Sequence, residues 1–287
     1  MKPVVVFSSD IAGLTGGVDD FLKIYRGYFG DKASIAVEVI GWKHQWLEFV
    51  KAERSNNLKI MGIHGPVGVG GMRGAGLKEK LLDWLMIGLE DIGKSRGVDK
   101  GIYWLLHENV ITQNLIDSQW FDRENKEKLI MVENSSIPGS MEKTLSKVKV
   151  IKQKRGNVGV MIDLVHLLKE YEGYCYGLGY RDFCRYWARC MEEVKVIIGK
   201  EEANPVGFHL PIGIRTDDNL PVEIMGKKEW EQLALVVKTP KVRYLVFENQ
   251  RRMSDQFIPP RWFGLESIIE RNKRILNSLN DWGIIEH

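Results

Sequence analysis

Short apolar runs alternate with amphipathic stretches along the whole chain. The runs predict strands at Val4–Ser8, Ser34–Ile40, Leu58–His64, Ile102–His107, Lys128–Glu133, Val158–Asp163, Pro205–Leu210 and Arg243–Glu248. Continuous apolar character, with breakers at the ends, is how a parallel strand covered on both faces reads. Between the runs, helical spacing predicts helices over Val18–Phe29, Trp42–Arg54, Leu77–Ser95, Met141–Lys154, Arg181–Ile198, Lys227–Val237 and Arg261–Trp282. Leu77, Leu81, Leu82, Leu85 and Leu89, for instance, share one helix face. The stretch Val110–Arg123 follows neither period. A repeating β-then-α order predicts a closed, single (β/α)8 TIM barrel over residues 1–287 in preference to an open doubly wound sheet. No break in composition marks a second domain.

Chemistry collects where these runs end. LKIMGIHGP ends a run with His64, IYWLLHEN with His107, KLIMVEN with Glu133, and VGVMIDLVH with Asp163 followed by His166. PVGFHLP places His209, and YLVFEN places Glu248, in the same position. In a barrel of parallel strands the carboxyl ends converge on one face, and active sites are built there. Singly, each residue has a structural explanation; as a row on successive strands they predict a metal site. Glu133, Asp163, His209 and Glu248 suit Mn2+, Co2+, Mg2+ or Zn2+, and the imidazoles of His64, His107 and His166 pull toward zinc and toward more than one ion. Glu38, in VEVIG on the second strand, either faces the same site or makes a structural hydrogen bond.

Composition narrows the class without naming it. With 287 residues, 44% of them hydrophobic and 28% charged, the chain can bury one large core. The net charge of +3 gives no general pull toward nucleic acid. No apolar stretch approaches the roughly 20 residues of a membrane span, and the N-terminus lacks the apolar core of a secretory leader. Three cysteines, Cys175, Cys184 and Cys190, form no CxxC pair and suggest reduced thiols. The expectation is a cytoplasmic protein with no membrane partner. The sequence allows a homo-oligomer and does not fix one.

In their order and strand placement, IHGP, VEN, IDLVH, HLP and FEN resemble the xylose isomerase-like TIM barrels, from about Leu58 to Glu248. The superfamily holds sugar isomerases and epimerases and also the endonuclease IV type of apurinic-site nuclease. In the first branch the resemblance implies one divalent ion on Glu133, Asp163, His209 and Glu248. The two glutamates would move a proton through an enediolate, while His166 and Arg215 hold oxygens of a sugar or sugar phosphate. In the second branch it implies three zinc ions on His64, His107, Glu133, Asp163, His166, His209 and Glu248, with Asp217 or Asp218 adding another ligand and abasic-site DNA as substrate. The strand-seven loop TDDNLPVE lacks that branch's Asp-x-His, and GPVGVGGMRGAG lacks its DNA-reading loop. On sequence the isomerase or epimerase reading therefore leads, and the zinc phosphodiesterase is its alternative.

Three smaller signals remain. Gly65–Gly76 departs from both common phosphate-loop patterns and reads as a lid, with Arg73 available to an anion. Tyr174, Tyr176 and Tyr180 are candidates to stack on a sugar or base, against packing on the barrel rim. Trp42 and Trp262 are candidate pocket walls.

Overall fold

The computed structural model describes residues 3–9, 18–31, 33–39, 48–53, 58–65, 102–117, 129–174, 178–211, 220, 222, 224–248 and 265–285. Its strands are β1 Val4–Ser8, β2 Ile35–Val39, β3 Leu58–His64, β4 Tyr103–His107, β5 Leu129–Glu133, β6 Val158–Asp163, β7 Val206–Pro211 and β8 Val242–Glu248. All pair in parallel, in sequence order, and β8 returns to β1, so the barrel closes. The strands predicted from the apolar runs are these strands, shifted by a residue at some ends.

The described helices are α1 Val18–Phe29, α2 Gln113–Asp117, α3 Ser140–Lys154, α4 Leu164–Lys169, α5 Tyr180–Gly199, α6 Lys227–Val237 and α7 Leu265–Asp281, and residues 48–53 are helical as well. The aperiodic stretch resolves into a 3-10 turn, Glu108–Val110, followed by α2. The predicted helix Leu77–Ser95 lies outside the described residues. The sequence reading passed over α4. Its signal was Asp163 at the N-cap before LVHLLK: the Asp163 carboxylate accepts from the backbone N–H groups of Val165 (2.8 Å) and His166 (2.9 Å).

Alternation along each strand sorts side chains into two cores. Outward positions such as Phe7, Val37, Trp104, Val132, Ile162, Phe208 and Phe247 pack under the helices with Trp187, Leu233 and Leu276. Inward positions, Val6, Met61, Tyr103, Leu105, Met131, Met161 and Val246, fill the barrel itself. The filling depends on small residues beside large ones. A Cβ on Gly207 would lie 2.7 Å from the Met161 sulfur, and one on Gly62 would lie 2.3 Å from the Tyr103 ring. The last inward position of each strand from β2 to β8 is Glu38, His64, His107, Glu133, Asp163, His209 and Glu248 in turn.

For β3 that placement needs a bulge. Val37 pairs with Ile60, but Glu38 pairs with Gly62, leaving Met61 as an extra residue. Ile60 and Ile63 both face the outer core, while Met61 belongs to the inner one. Without the extra residue, strict alternation from Ile60 would turn His64 outward. A bulge beside a site re-aims a side chain in this way.

Cys184 and Cys190 are free thiols, and Cys190 is fully buried. No helix among the described residues is long and apolar enough to cross a membrane.

Candidate metal centre

The strand-end residues meet at the carboxyl mouth of the barrel, as the pattern predicted. Glu38, His64, His107, Glu133, Asp163, His209 and Glu248 are all buried there. His166, one turn into α4, is the most open of the group, with its side chain 18% exposed. His209 stands at the centre. Its Nδ1 lies 2.6 Å from Glu133 Oε1 and 3.1 Å from Glu248 Oε1, and its Nε2 lies 3.2 Å from Glu38 Oε1. On the other side of Glu133, Oε2 is 3.3 Å from His107 Nδ1 and 3.5 Å from His64 Nε2. The His64 ring lies roughly parallel to that of His209 at 5.5 Å, and its Nδ1 meets the Gly65 carbonyl at 2.7 Å.

Neighbours hold these groups in place. Asn134, buried directly after Glu133, accepts from the Asp163 backbone N–H at 2.8 Å and donates to the Asp163 carbonyl at 3.2 Å. Its own carbonyl takes His166 Nδ1 at 2.9 Å. One residue thus fixes both halves of the D-x-x-H motif. Glu108, next to His107, accepts from the Ser135 hydroxyl (2.9 Å) and the Ser140 hydroxyl (3.1 Å), with the Lys147 ammonium at 3.6 Å. That buried cluster ties the end of β4 to the end of β5. Neither Asn134 nor Glu108 was singled out from sequence, although each adjoins a strand-end ligand in the quoted VEN and HEN.

The electrostatics follow from crowding carboxylates and imidazoles out of water. Burial disfavours charge on His209, but Glu133, Glu248 and Glu38 outweigh it and hold the ring well above its ordinary pKa. His64 is likewise pushed up to about 9, burial being overcome by its hydrogen bond to Glu133 and the charges of Glu133 and Glu38. His166 moves up beside Asp163 and Glu133, against its burial. Glu133 is pulled well below the carboxylate range despite burial, mainly by the charges of His209 and His107. Asp163 goes the other way: burial, with the Glu133 charge adding, outweighs His166 and raises it. His107 is the exception among the imidazoles, held down to about 4 by burial, which makes it a neutral ring at pH 7.

The donor set fits divalent cations. Bonds of about 2.1 Å put neighbouring donors roughly 3 Å apart around an octahedral ion and roughly 3.4 Å apart around a tetrahedral one. The contacts around Glu133 and His209 fall near these spacings. Several of the atoms are also without a hydrogen bond among the described residues: His209 Nδ1, His107 Nε2, Glu133 Oε2 and Glu38 Oε1. Burying such atoms without a hydrogen bond is costly, and a cation would satisfy them. Three overlapping groups have donors close enough to share an ion: His64, His107 and Glu133; Glu133, Asp163 and His209; and Glu38, His64, His209 and Glu248. Every predicted ligand except His166 falls in one of them. Glu38, ambiguous in the sequence, joins the cluster.

Other predicted features are placed differently. Tyr174 packs edge-on against Tyr186 at 5.6 Å, and the Tyr180 hydroxyl donates to Glu229 at 3.1 Å. Both make contacts around α5, the rim packing that stood as the alternative to stacking. Arg215, Asp217, Asp218, Arg73, Tyr176, Trp42, Trp262 and the loop after Gly65 lie outside the described residues.

The sequence matches no protein-family model and no curated protein. Solved structures do match in fold. The AsfvAP:AG crystal structure aligns over 97% of this chain and 100% of its own, at TM-score 0.55 and 13% identity. The fold they share is the closed eight-stranded parallel (β/α)8 barrel. The 3-keto-D-glucoside 4-epimerase YcjR from E. coli aligns over 94% of this chain and 99% of its own, at TM-score 0.47 and 13% identity. The probable 3-DHS dehydratase AsbF from Bacillus anthracis aligns over 96% and 99%, at 0.48 and 10%.

Proposed function

We propose that this chain is a metal-dependent enzyme that hydrolyses a phosphoester, with more than one divalent ion held across Glu133. The observation that supports this is the division of that carboxylate. Oε1 faces His209, whereas Oε2 faces His64 and His107. The groups His64–His107–Glu133 and Glu133–Asp163–His209 share Glu133 alone, so that carboxylate would serve both donor groups. Once bound, paired ions lower the pKa of water from 15.7 toward about 7 and offset charge on phosphoryl oxygens.

The chain's own residues do the rest. His107, neutral at pH 7, offers a lone pair without first losing a proton. Asn134 and the N-cap bonds hold Asp163 and His166 in one orientation. His166, the most open of the group, would meet a substrate oxygen. Abasic-site DNA is the substrate that the sequence resemblance implies for such a set. Asp217 or Asp218, a further ligand that the resemblance implies for this branch, lies outside the described residues.

The single-ion isomerase or epimerase of a sugar or sugar phosphate is the second reading. It draws on Glu133 and Glu248, two carboxylates beside the same imidazole nitrogen, which could serve opposite sides of a substrate carbon. Elemental analysis of the purified protein, with assays on abasic-site DNA and on a sugar panel in deuterated water, separates the two. Two or more zinc ions per chain with phosphodiester cleavage supports the first reading. One ion per chain with deuterium entering a sugar carbon overturns it.

A further inference from the structure

Behind His209 lies a buried chain of contacts, through the second carboxylate oxygen of Glu38, that the reaction does not explain. The Tyr103 hydroxyl donates to Glu38 Oε2 at 2.5 Å, and the same oxygen stands 3.3 Å from His209 Nε2. All three side chains are fully buried. Glu38, Gly62 and Tyr103 share one level of the barrel, since Glu38 pairs with Gly62 and Gly62 with Tyr103. His64 lies two residues further along β3, nearer the mouth. The Tyr103 ring reaches Glu38 only because Gly62 has no side chain: a Cβ there would fall 2.3–2.6 Å from its Cζ, Cε2 and hydroxyl. Tyr244 backs the ring at 4.6 Å. Space has therefore been cleared at Gly62 for a hydroxyl whose contact is Glu38.

We infer that Glu38 and Tyr103 are positioning residues for His209. An imidazole binds a cation through one nitrogen while the other carries a proton, and the partner of that proton sets tautomer and ring orientation. Nδ1 of His209 faces Glu133 and Glu248 on the donor side, and Nε2 faces Glu38. Glu38 accepts a hydrogen bond from Nε2–H, which leaves the Nδ1 lone pair for the ion, and is itself held by Tyr103. The inference rests on His209 being a metal ligand, as proposed above, and is independent of which reaction follows.

Co2+ titrated calorimetrically into the chelator-treated full chain tests it, with the visible spectrum of bound Co2+ recorded in parallel. Glu38→Gln should weaken the His209-containing site about 10- to 100-fold with the number of ions unchanged. Tyr103→Phe, which removes only the hydroxyl, should weaken it on the order of 5- to 10-fold and alter the Co2+ absorption. The double variant should bind no worse than Glu38→Gln, because Tyr103 acts through Glu38. Equal affinity and an unchanged spectrum in Tyr103→Phe would overturn the inference, and so would fully additive losses in the double variant. Loss of one ion per chain in Glu38→Gln would overturn it too, by making Glu38 a ligand. If the unaltered protein binds no Co2+, it is the metal reading that fails.

Discussion

Gly62→Ala is the smallest change that tests how the barrel interior is built. The new methyl would lie 2.3 Å from Tyr103 Cζ and 2.4 Å from Cε2, well inside contact distance. The ring has nowhere to go: it is fully buried, Tyr244 stands at 4.6 Å, and its hydroxyl is bound to Glu38. Overpacking of this kind costs about 1–3 kcal/mol, and a ring so confined places the change near the upper end, about 3 kcal/mol. For a chain of this size each kcal/mol moves the melting temperature by roughly 2–4 °C, so a fall of about 6–12 °C is expected. Urea denaturation of chelator-treated protein, followed by circular dichroism, gives the free energy directly. The sign should reverse in a Tyr103→Ala background. There the clash is gone, and replacing Gly without left-handed backbone strain stabilises by about 0.4–1 kcal/mol through the unfolded chain. A Gly62→Ala protein as stable as the original, or one equally destabilised in both backgrounds, would refute the packing described for β3 and β4.

Three further outcomes follow from the site. His107 belongs to only one of the three donor groups, so His107→Ala should lower the zinc content by one ion per chain while leaving the His209 group loaded; unchanged stoichiometry by elemental analysis would contradict the divided role of Glu133. Asp163→Asn keeps the cap on α4 and removes a carboxylate whose pKa is raised by burial and by Glu133, so the metal-free variant should be at least as stable as the original at pH 7, whereas Asp163→Ala should lose about 1 kcal/mol with the cap. The metal-free protein should also lose stability as pH rises. The folded pKa of His64, about 9, lies above its ordinary 6.5, so its contribution is complete below 6.5 and disappears as pH passes 9; a urea midpoint that stays flat or climbs over that window would show that His64 is not held by Glu133.

Much of this architecture is legible in the sequence. A strand covered on both faces is a continuous apolar run, and its end shows where polar or chain-breaking residues begin. β1, β3 and β6 accordingly span the residues that the runs mark. The amphipathic period of a helix over a sheet does the same for Val18–Phe29 and Lys227–Val237. Once the runs are strands of one barrel, a histidine or acid ending each of them must lie at one mouth. The row from His64 to Glu248 therefore places these side chains together at that mouth.

Tertiary structure decided which way those residues point and what stands behind them. A run that is apolar on both faces carries no alternation, so its inward parity is invisible; β3 reached the right one through the bulge at Met61, set by pairing with β2. The hydrogen bond from Tyr103 to Glu38 spans 65 residues, and nothing local in VEVIG or IYWLLH announces it. Closure of the barrel brings β2 against β3 and β3 against β4, and Gly62 leaves room for the ring between them. The division of Glu133 between two sets of imidazoles depends on the same closure. Sequence supplied the candidate donors in order along the strands, because burial period and chain breakers are local properties. Their distances, and with them which donors fall into one group, are properties of the closed sheet.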